Sequence, residues 1–475
     1  MSINEICFSS IKELLNNIKK KNFSCEEIIK AHFEQINKYN SKLNAIITLD
    51  QENAISQAKK YDAKSQKTTE IKPLEGIPLV HKDLIQTKGL LTTYGSPIYR
   101  DNIPTTDNLI VKRLKNAGAI TLGKTNTPEF GAGSQTFNTL FGQTLNPYDL
   151  SKTCGGSSGG SAVALTTGMA PIATGSDLGG SLRNPASYCN VIGFRTSIGR
   201  IPTLPSENPW INMTVEGPMA RTIEDIAIIL SIIAGPNTFF PLSINESSNL
   251  FLNGLKRDFQ GVKIAWAPNI ANLPMEPEIP LIMGKHLKIF EELGCSIEET
   301  EPDFSGADEV FKTLRAFDYA ISHKHLLDNH KEQLKDTVIW NIEQGLKLSS
   351  VDIGKALKKR TELFNKLVEF TSKFEYIILP VSQVLPFDVN KPYIDEINGV
   401  KMGSYIDWMK SCYYISITDH PAISIPCGFS KNGSPFGMQI VGRHKKEFSV
   451  LQLAHAFEEK TQYWKIKPKI CSDDK

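Results

Sequence analysis

The sequence predicts an α/β fold, a large mixed and mainly parallel β-sheet covered by helices on both faces. Three observations carry that expectation. Apolar, strand-forming runs recur at 76–83 (GIPLVHKD), 119–122 and 171–177 (PIATGSD). Helical segments lie between them, one marked by Leu109, Ile110, Val111 and Leu114 and stopped at Gly118, the other at 161–168 (SAVALTTG) with Gly168 as its stop. With 475 residues, 40% hydrophobic and 22% charged, the chain can also bury a large core. Strands that alternate with helices favour parallel neighbours, and ligands of such sheets gather in loops beyond the strand ends.

At the N-terminus, Ser24-Cys25-Glu26-Glu27 fits a capping box. Ile28, Ile29, Phe33 and Ile36 follow at helical spacing, with His32 on the same stripe as a packing residue. Residues 1–70 therefore read as a helical layer, and 71–475 as the main domain. Its core segments are 74–235 and 375–460, around a variable, charged and helical region at 245–375 that carries no readable motif. The runs 374–387 (FEYIILPVSQVLPF) and 420–429 (HPAISIPCGF) supply further strands, so the sheet draws on both ends of the chain and the whole forms one compact unit.

Lys plus Arg total 53 against 51 for Asp plus Glu, a net charge of +2 without the long-range field that nucleic acid binding uses. No apolar run approaches the ~20 residues that span a bilayer. The expectation is a cytoplasmic enzyme acting on a small molecule, with no nucleic acid or membrane partner and with a homodimer possible. Eight scattered cysteines without CxxC spacing argue against a zinc site and against a disulfide framework. His323, His325 and His330 read as surface positions of a helix rather than metal ligands.

Residues 118–125 (GAITLGKT) match the phosphate-loop pattern, but 119–122 are strand-forming and Pro128 falls where the following helix would run. Nucleotide binding is rejected on that ground. The stretch 155–187 carries more chemistry: two Gly-Gly-Ser units separated by a helix and a strand. Glycine permits positive φ and lets several N–H groups converge, which suits an acyl-transfer oxyanion. The amides of Leu178, Gly179, Gly180 and Ser181 follow the strand 171–177 and can point at a carbonyl beside the Ser181 hydroxyl. No Asp–His pair lies near this segment to serve as base. Lys82 ends the strand 76–83, and burial would lower its pKa enough for a neutral amine to act.

The stretch 155–187, together with 76–83 and GKTNTPEFG at 123–131, resembles the amidase signature family, strongly over 74–230 and more weakly at 420–443. The resemblance implies the amidase signature fold and hydrolysis of amide C–N bonds through an acyl-enzyme, with no metal or cofactor. It implies Lys82 as base, Ser157 on a cis peptide as relay, Ser181 as nucleophile, and the Leu178–Ser181 amides as oxyanion hole. Ser158, Asp177 and Arg183 would brace that network by hydrogen bonds. His81 replaces a usual aliphatic residue, and a packing or hydrogen-bonding role is expected. Thr166 and Thr167 stand where Ala or Gly is frequent, and Asp419 occupies a usual glycine position where it would alter the pocket mouth. Within the family, the alternative is the ammonia-releasing A component of glutamyl-tRNA amidotransferase. TVEGPM at 214–219 and GKTNTPEFGAG at 123–133 look more like stand-alone bacterial amidases. A catalytically silent scaffold is the remaining rival.

Overall fold

The computed structural model describes residues 3–65, 71–211 and 213–472. Its main sheet has eleven strands: β1 (Ile46–Leu49), β2 (Pro78–Lys82), β3 (Ile120–Thr125), β4 (Ile172–Asp177), β5 (Ile192–Arg195), β6 (Val215–Ala220), β7 (Lys263–Trp266), β8 (Ser296–Glu299), β9 (Tyr376–Pro380), β10 (Ala422–Phe429) and β11 (Pro435–Gly442). Their spatial order is β1-β3-β2-β4-β6-β5-β10-β11-β9-β7-β8. Every residue of β2, β3, β4, β5, β6, β9 and β11 is buried, so both faces of the sheet are covered in its middle.

The sheet is mixed, but the expected parallel majority is not what forms. Parallel pairing joins β2 to β3 and β4, and β7 to β8 and β9. The other neighbours, including the whole run β4-β6-β5-β10-β11-β9, are antiparallel. Strand–helix alternation is a local signal. It cannot register that β6 inserts between β4 and β5, or that the short connection at 430–434 makes β10 and β11 a hairpin. Region 245–375 also departs from its helical reading, because it contributes β7 and β8. Both are only four residues long, and β8 is mostly exposed at the edge.

The helices that position the site are α1 (Cys25–Leu43), α2 (Gly159–Thr166), α3 (Arg183–Tyr188) and α4 (Ala307–His330). Ser24 and Glu27 cap α1 reciprocally as expected, and His32 is buried with its Nδ1 2.8 Å from the Ile28 carbonyl. The N-terminal helices share one apolar cluster with the sheet, from Ile6 through Ile172 to Phe457. Polar ties add to this packing: the Ile11 N–H donates to Asp225 Oδ1 at 2.9 Å, and Arg221 donates to the Ser9 carbonyl at 2.9 Å. Residues 1–2 and 66–70 of the expected N-terminal layer lie outside the described residues.

Candidate active site

Parallel strands β2 and β4 lie side by side, so their C-terminal ends open on the same side of the sheet. Lys82 closes β2 and Asp177 closes β4. Lys82 is fully buried, and its Nζ donates to Ser157 Oγ at 2.6 Å and to Ser176 Oγ at 3.0 Å. Burial pushes the amine down to about 7, against the opposing pull of the Asp177 charge. The neighbouring His81 is spent on hydroxyls, with Nδ1 3.0 Å from Thr174 Oγ1 and Nε2 3.4 Å from Thr121 Oγ1. That is the hydrogen-bonding role expected of it, and burial holds the ring well below its ordinary pKa.

Ser157 lies in the turn that leads into α2, after a cis Gly156–Ser157 bond. The turn is fixed from outside: Ser134 Oγ donates to the Gly156 carbonyl at 2.8 Å, and Thr136 Oγ1 to the Gly155 carbonyl at 2.9 Å. Side chains are excluded here, since a Cβ on Gly156 would come within 2.9 Å of the Gln135 backbone. Ser158 links the two glycine-rich segments, its N–H donating to the Ser181 carbonyl at 3.2 Å and its Oγ accepting from the Ser176 N–H at 3.4 Å.

Ser181 sits in the turn between β4 and α3, and Asp177 folds that turn around its own carboxylate. Oδ1 accepts from the Gly180 N–H at 2.9 Å and Oδ2 from the Leu182 N–H at 3.1 Å. Arg183 clamps both oxygens, Nη2 to Oδ1 at 2.9 Å and Nε to Oδ2 at 3.0 Å. Arg195 approaches Oδ1 at 3.5 Å, and the two guanidiniums hold the carboxyl well below the usual carboxylate range despite its burial. Ser158, Asp177 and Arg183 thus all bond to the turn that carries Ser181 or to the strand before it. One expected oxyanion donor is committed elsewhere: Asp177 takes the Gly180 N–H, which leaves Leu178, Gly179 and Ser181. Gly180 still needs to be glycine, because its φ is +120° and a Cβ would meet Cys412 Cβ at 2.7 Å.

Ser157 and Ser181 both line a cavity of about 200 Å³, without a hydrogen bond between their hydroxyls among the described residues. Such contacts commonly tighten only when substrate binds. Ser176, Leu178 and Thr214 complete the same wall, while Leu84, Phe130, Gly131, Asp318, Tyr319 and His323 form the rest of the lining. Sequence reasoning missed Ser176, although it precedes Asp177 on the strand beside β2. It also placed His323 on the outer surface with His325 and His330. The latter two are exposed, whereas His323 packs against Phe130 with ring centroids 4.6 Å apart, and burial lowers its pKa to about 4.

Other expectations resolve away from the cavity. The phosphate-loop lysine, Lys124, is buried and donates to the Ile85 carbonyl, to Thr87 Oγ1 at 3.1 Å and to Thr92 Oγ1 at 3.0 Å. Thr167 Oγ1 turns back on the Val163 carbonyl at 2.7 Å. Asp419 has φ +58°, which explains why glycine suits its position, and it accepts from the Ile198 N–H at 2.6 Å instead of lining the cavity. The eight cysteines are free and buried, and no group of metal-ligating side chains occurs among the described residues. No helix among them is long and apolar enough to cross a membrane.

The family described as Amidase matches residues 27–451. The chain belongs to the amidase family. It is an amide hydrolase of the amidase signature fold. Among similar proteins are an acylamidase of Rhodococcus erythropolis, 32% identical over 94% of each chain, and the A component of the glutamyl-tRNA(Gln) amidotransferase of Geobacillus thermodenitrificans, 32% identical over 97% of this chain and 98% of its own. Among solved structures, a bacterial aryl acylamidase of the amidase signature enzymes superposes with a TM-score of 0.91 at 26% identity, covering 98% of this amidase and 99% of that chain. The corresponding amidotransferase component of Thermotoga maritima gives 0.81 at 27% identity over 98% of each chain.

Proposed function

We propose that this amidase converts a small carboxylic amide to the acid plus ammonia or an amine through an acyl-enzyme on Ser181. Neutral Lys82 draws a proton through Ser157 from the Ser181 hydroxyl, which attacks the carbonyl carbon. The amides of Leu178, Gly179 and Ser181 receive the oxyanion. Ser157 returns the proton to the leaving nitrogen, the C–N bond breaks, and water attacks the ester by the same relay in reverse. The observation that carries this reading is the 2.6 Å contact between a buried amine brought down to about 7 and the hydroxyl of Ser157, which lines one cavity together with Ser181. Residues 1–70 and 71–475 act together as one unit, as a cytoplasmic enzyme without a nucleic acid or membrane partner.

The test is labelling by an alkyl fluorophosphonate followed by peptide mapping. Adduct on Ser181 that disappears in Ser181→Ala, together with loss of aryl amide hydrolysis, supports the assignment. Full turnover by Ser181→Ala would falsify it. A second reading, a glutaminase that supplies ammonia to a partner protein, is favoured by the relatives named as glutamyl-tRNA(Gln) amidotransferase components. The better superposition on the aryl acylamidase, 0.91 against 0.81, supports the stand-alone enzyme. Glutaminase activity that depends on a co-purifying second protein would reverse that order.

A further inference from the structure

We propose that Asp318 is a specificity determinant of the cavity, its carboxylate receiving a cationic nitrogen carried by the amide substrate. This rests on the reading of Ser181 as nucleophile. Asp318 lines the same cavity as Ser157 and Ser181, so a carbonyl placed at Ser181 sends one of its substituents toward the α4 wall.

Along that wall Asp318 has no hydrogen-bond or ion-pair partner among the described residues, and the charge of Arg315 only partly offsets its burial. Tyr319 OH donates to the Phe130 carbonyl at 3.2 Å, and the His323 ring lies over Phe130. Among the described residues no hydrogen bond or ion pair reaches the Asp318 carboxylate. Asp308, ten residues earlier on α4, shows the usual alternative: its carboxylate takes Lys312 at 3.0 Å, Lys410 at 3.1 Å and the Tyr413 hydroxyl at 2.5 Å. Arg315 is the cation nearest to Asp318 along α4. It spends Nη2 on Tyr405 OH at 2.6 Å and its face on the Tyr319 ring, 4.5 Å from the centroid, and forms no ion pair with Asp318 within 4.0 Å.

An unpaired carboxylate in a half-closed cavity is costly, and a ligand cation removes that cost. Burial pushes Asp318 up to about 6, so it is still ionised at neutral pH. His323, lowered to about 4, is neutral there and adds no competing charge. A substrate that ends in a methyl group would leave the carboxylate unpaired, which is the kind of mismatch that separates substrates most strongly.

Two alkyl fluorophosphonates of equal length, one ending in a primary ammonium and the other in a methyl group, separate this proposal from the reading beneath it. Rates of Ser181 labelling are measured near neutral pH, above the Asp318 value of about 6. The expected result is that the ammonium probe reacts about tenfold faster or more with the wild type, and that the ratio falls toward about one in Asp318→Asn. Asp318→Glu, which keeps the charge, retains a preference of the same sign, and thermal melts confirm that each variant is folded. A wild-type ratio near one, or a ratio unchanged in folded Asp318→Asn, overturns the role of Asp318 while leaving Ser181 as nucleophile. Failure of both probes to label Ser181 overturns the underlying reading and this one with it.

Discussion

Two buried lysines lie on neighbouring strands of the amidase, and only one of them bonds to residues that line the cavity. In the β2–β3 pairing, Lys82 lies opposite Thr125 and His81 opposite Lys124, so the two amines belong to adjoining strands in the same covered part of the sheet. Both are fully buried, and burial lowers both, Lys82 to about 7 and Lys124 to about 8. Their partners differ. Lys124 spends its three protons on the Ile85 carbonyl and two threonine hydroxyls, and the Asp83 charge supports its ammonium form. The two threonine hydroxyls already donate to the Ile85 and Leu90 carbonyls, so all three partners can only accept and the site needs a three-proton donor. Lys82 meets two hydroxyls, each of which can turn and donate to a neutral amine. Burial depresses both lysines; only Lys82 keeps partners that suit the base proposed for it.

The sharpest break of this comparison is kinetic. Lys82→Ala lowers kcat/KM by roughly 10³ or more, whereas Lys124→Met, counted per folded molecule, changes it by less than about tenfold. Equal losses in aryl amide hydrolysis would erase the distinction. Next comes the pH profile. In the proposed cycle the active form of Lys82 is the deprotonated one, so the expected kcat/KM rises with pH up to about 7 and levels off above it. Lys124→Met leaves that midpoint in place; a flat wild-type profile from acid to neutral pH, with chemistry limiting, would remove Lys82 as the titrating base.

Stability separates the pair with opposite signs. Lys124→Met removes one of the two donors to the Ile85 carbonyl, which keeps the Thr87 hydroxyl at 3.1 Å, and the only ammonium donor to Thr87 and Thr92 Oγ1, and costs about 1–3 kcal/mol. Lys82 falls from its ordinary 10.5 to about 7 on folding, so between those values the unfolded chain holds the proton and the native state gains stability as pH rises. The penalty is full below about 7, so Lys82→Met is most stabilising there, and its advantage fades toward 10.5. Denaturant titrations of both variants in acid and in alkali measure this; a Lys82→Met effect independent of pH would contradict the lowered amine. The smallest effect belongs to Asp419→Gly, which relieves a positive φ but loses the contacts to Ile198 and His444. Its net change is under about 1 kcal/mol with kcat/KM unaltered, and a kinetic defect would mean that Asp419 reaches the cavity after all.

What could be read beforehand followed the range of each physical signal. Strand β2 with Lys82, helix α2 and the Ser181 turn were legible because glycine, caps and apolar runs act over a few residues. Ser158, Asp177 and Arg183 came from resemblance, and the geometry puts Arg183 on the Asp177 carboxylate and Ser158 on the backbone of Ser176 and Ser181. The parallel majority was misread because pairing depends on which distant strand inserts where. Strands β7 and β8 were missed because four residues leave little periodic trace. His323 and Asp318 escaped for a related reason: one face of a long, charged helix turns toward a cavity only when that helix is docked on residues 130 and 413.

Arg183 has a consequence for the birth of the enzyme. Besides Asp177 it holds Gln439 Oε1 at 2.7 Å and Ser416 Oγ at 2.7 Å, so the support under the Ser181 turn includes a side chain of β11, the last strand of the sheet to be made. A ribosome that has already released the first two hundred residues has produced the three hydroxyl and amine groups of the chemistry but not the brace beneath them. The buried guanidinium gains its Gln439 partner only once the closing hairpin has been made and packed against it.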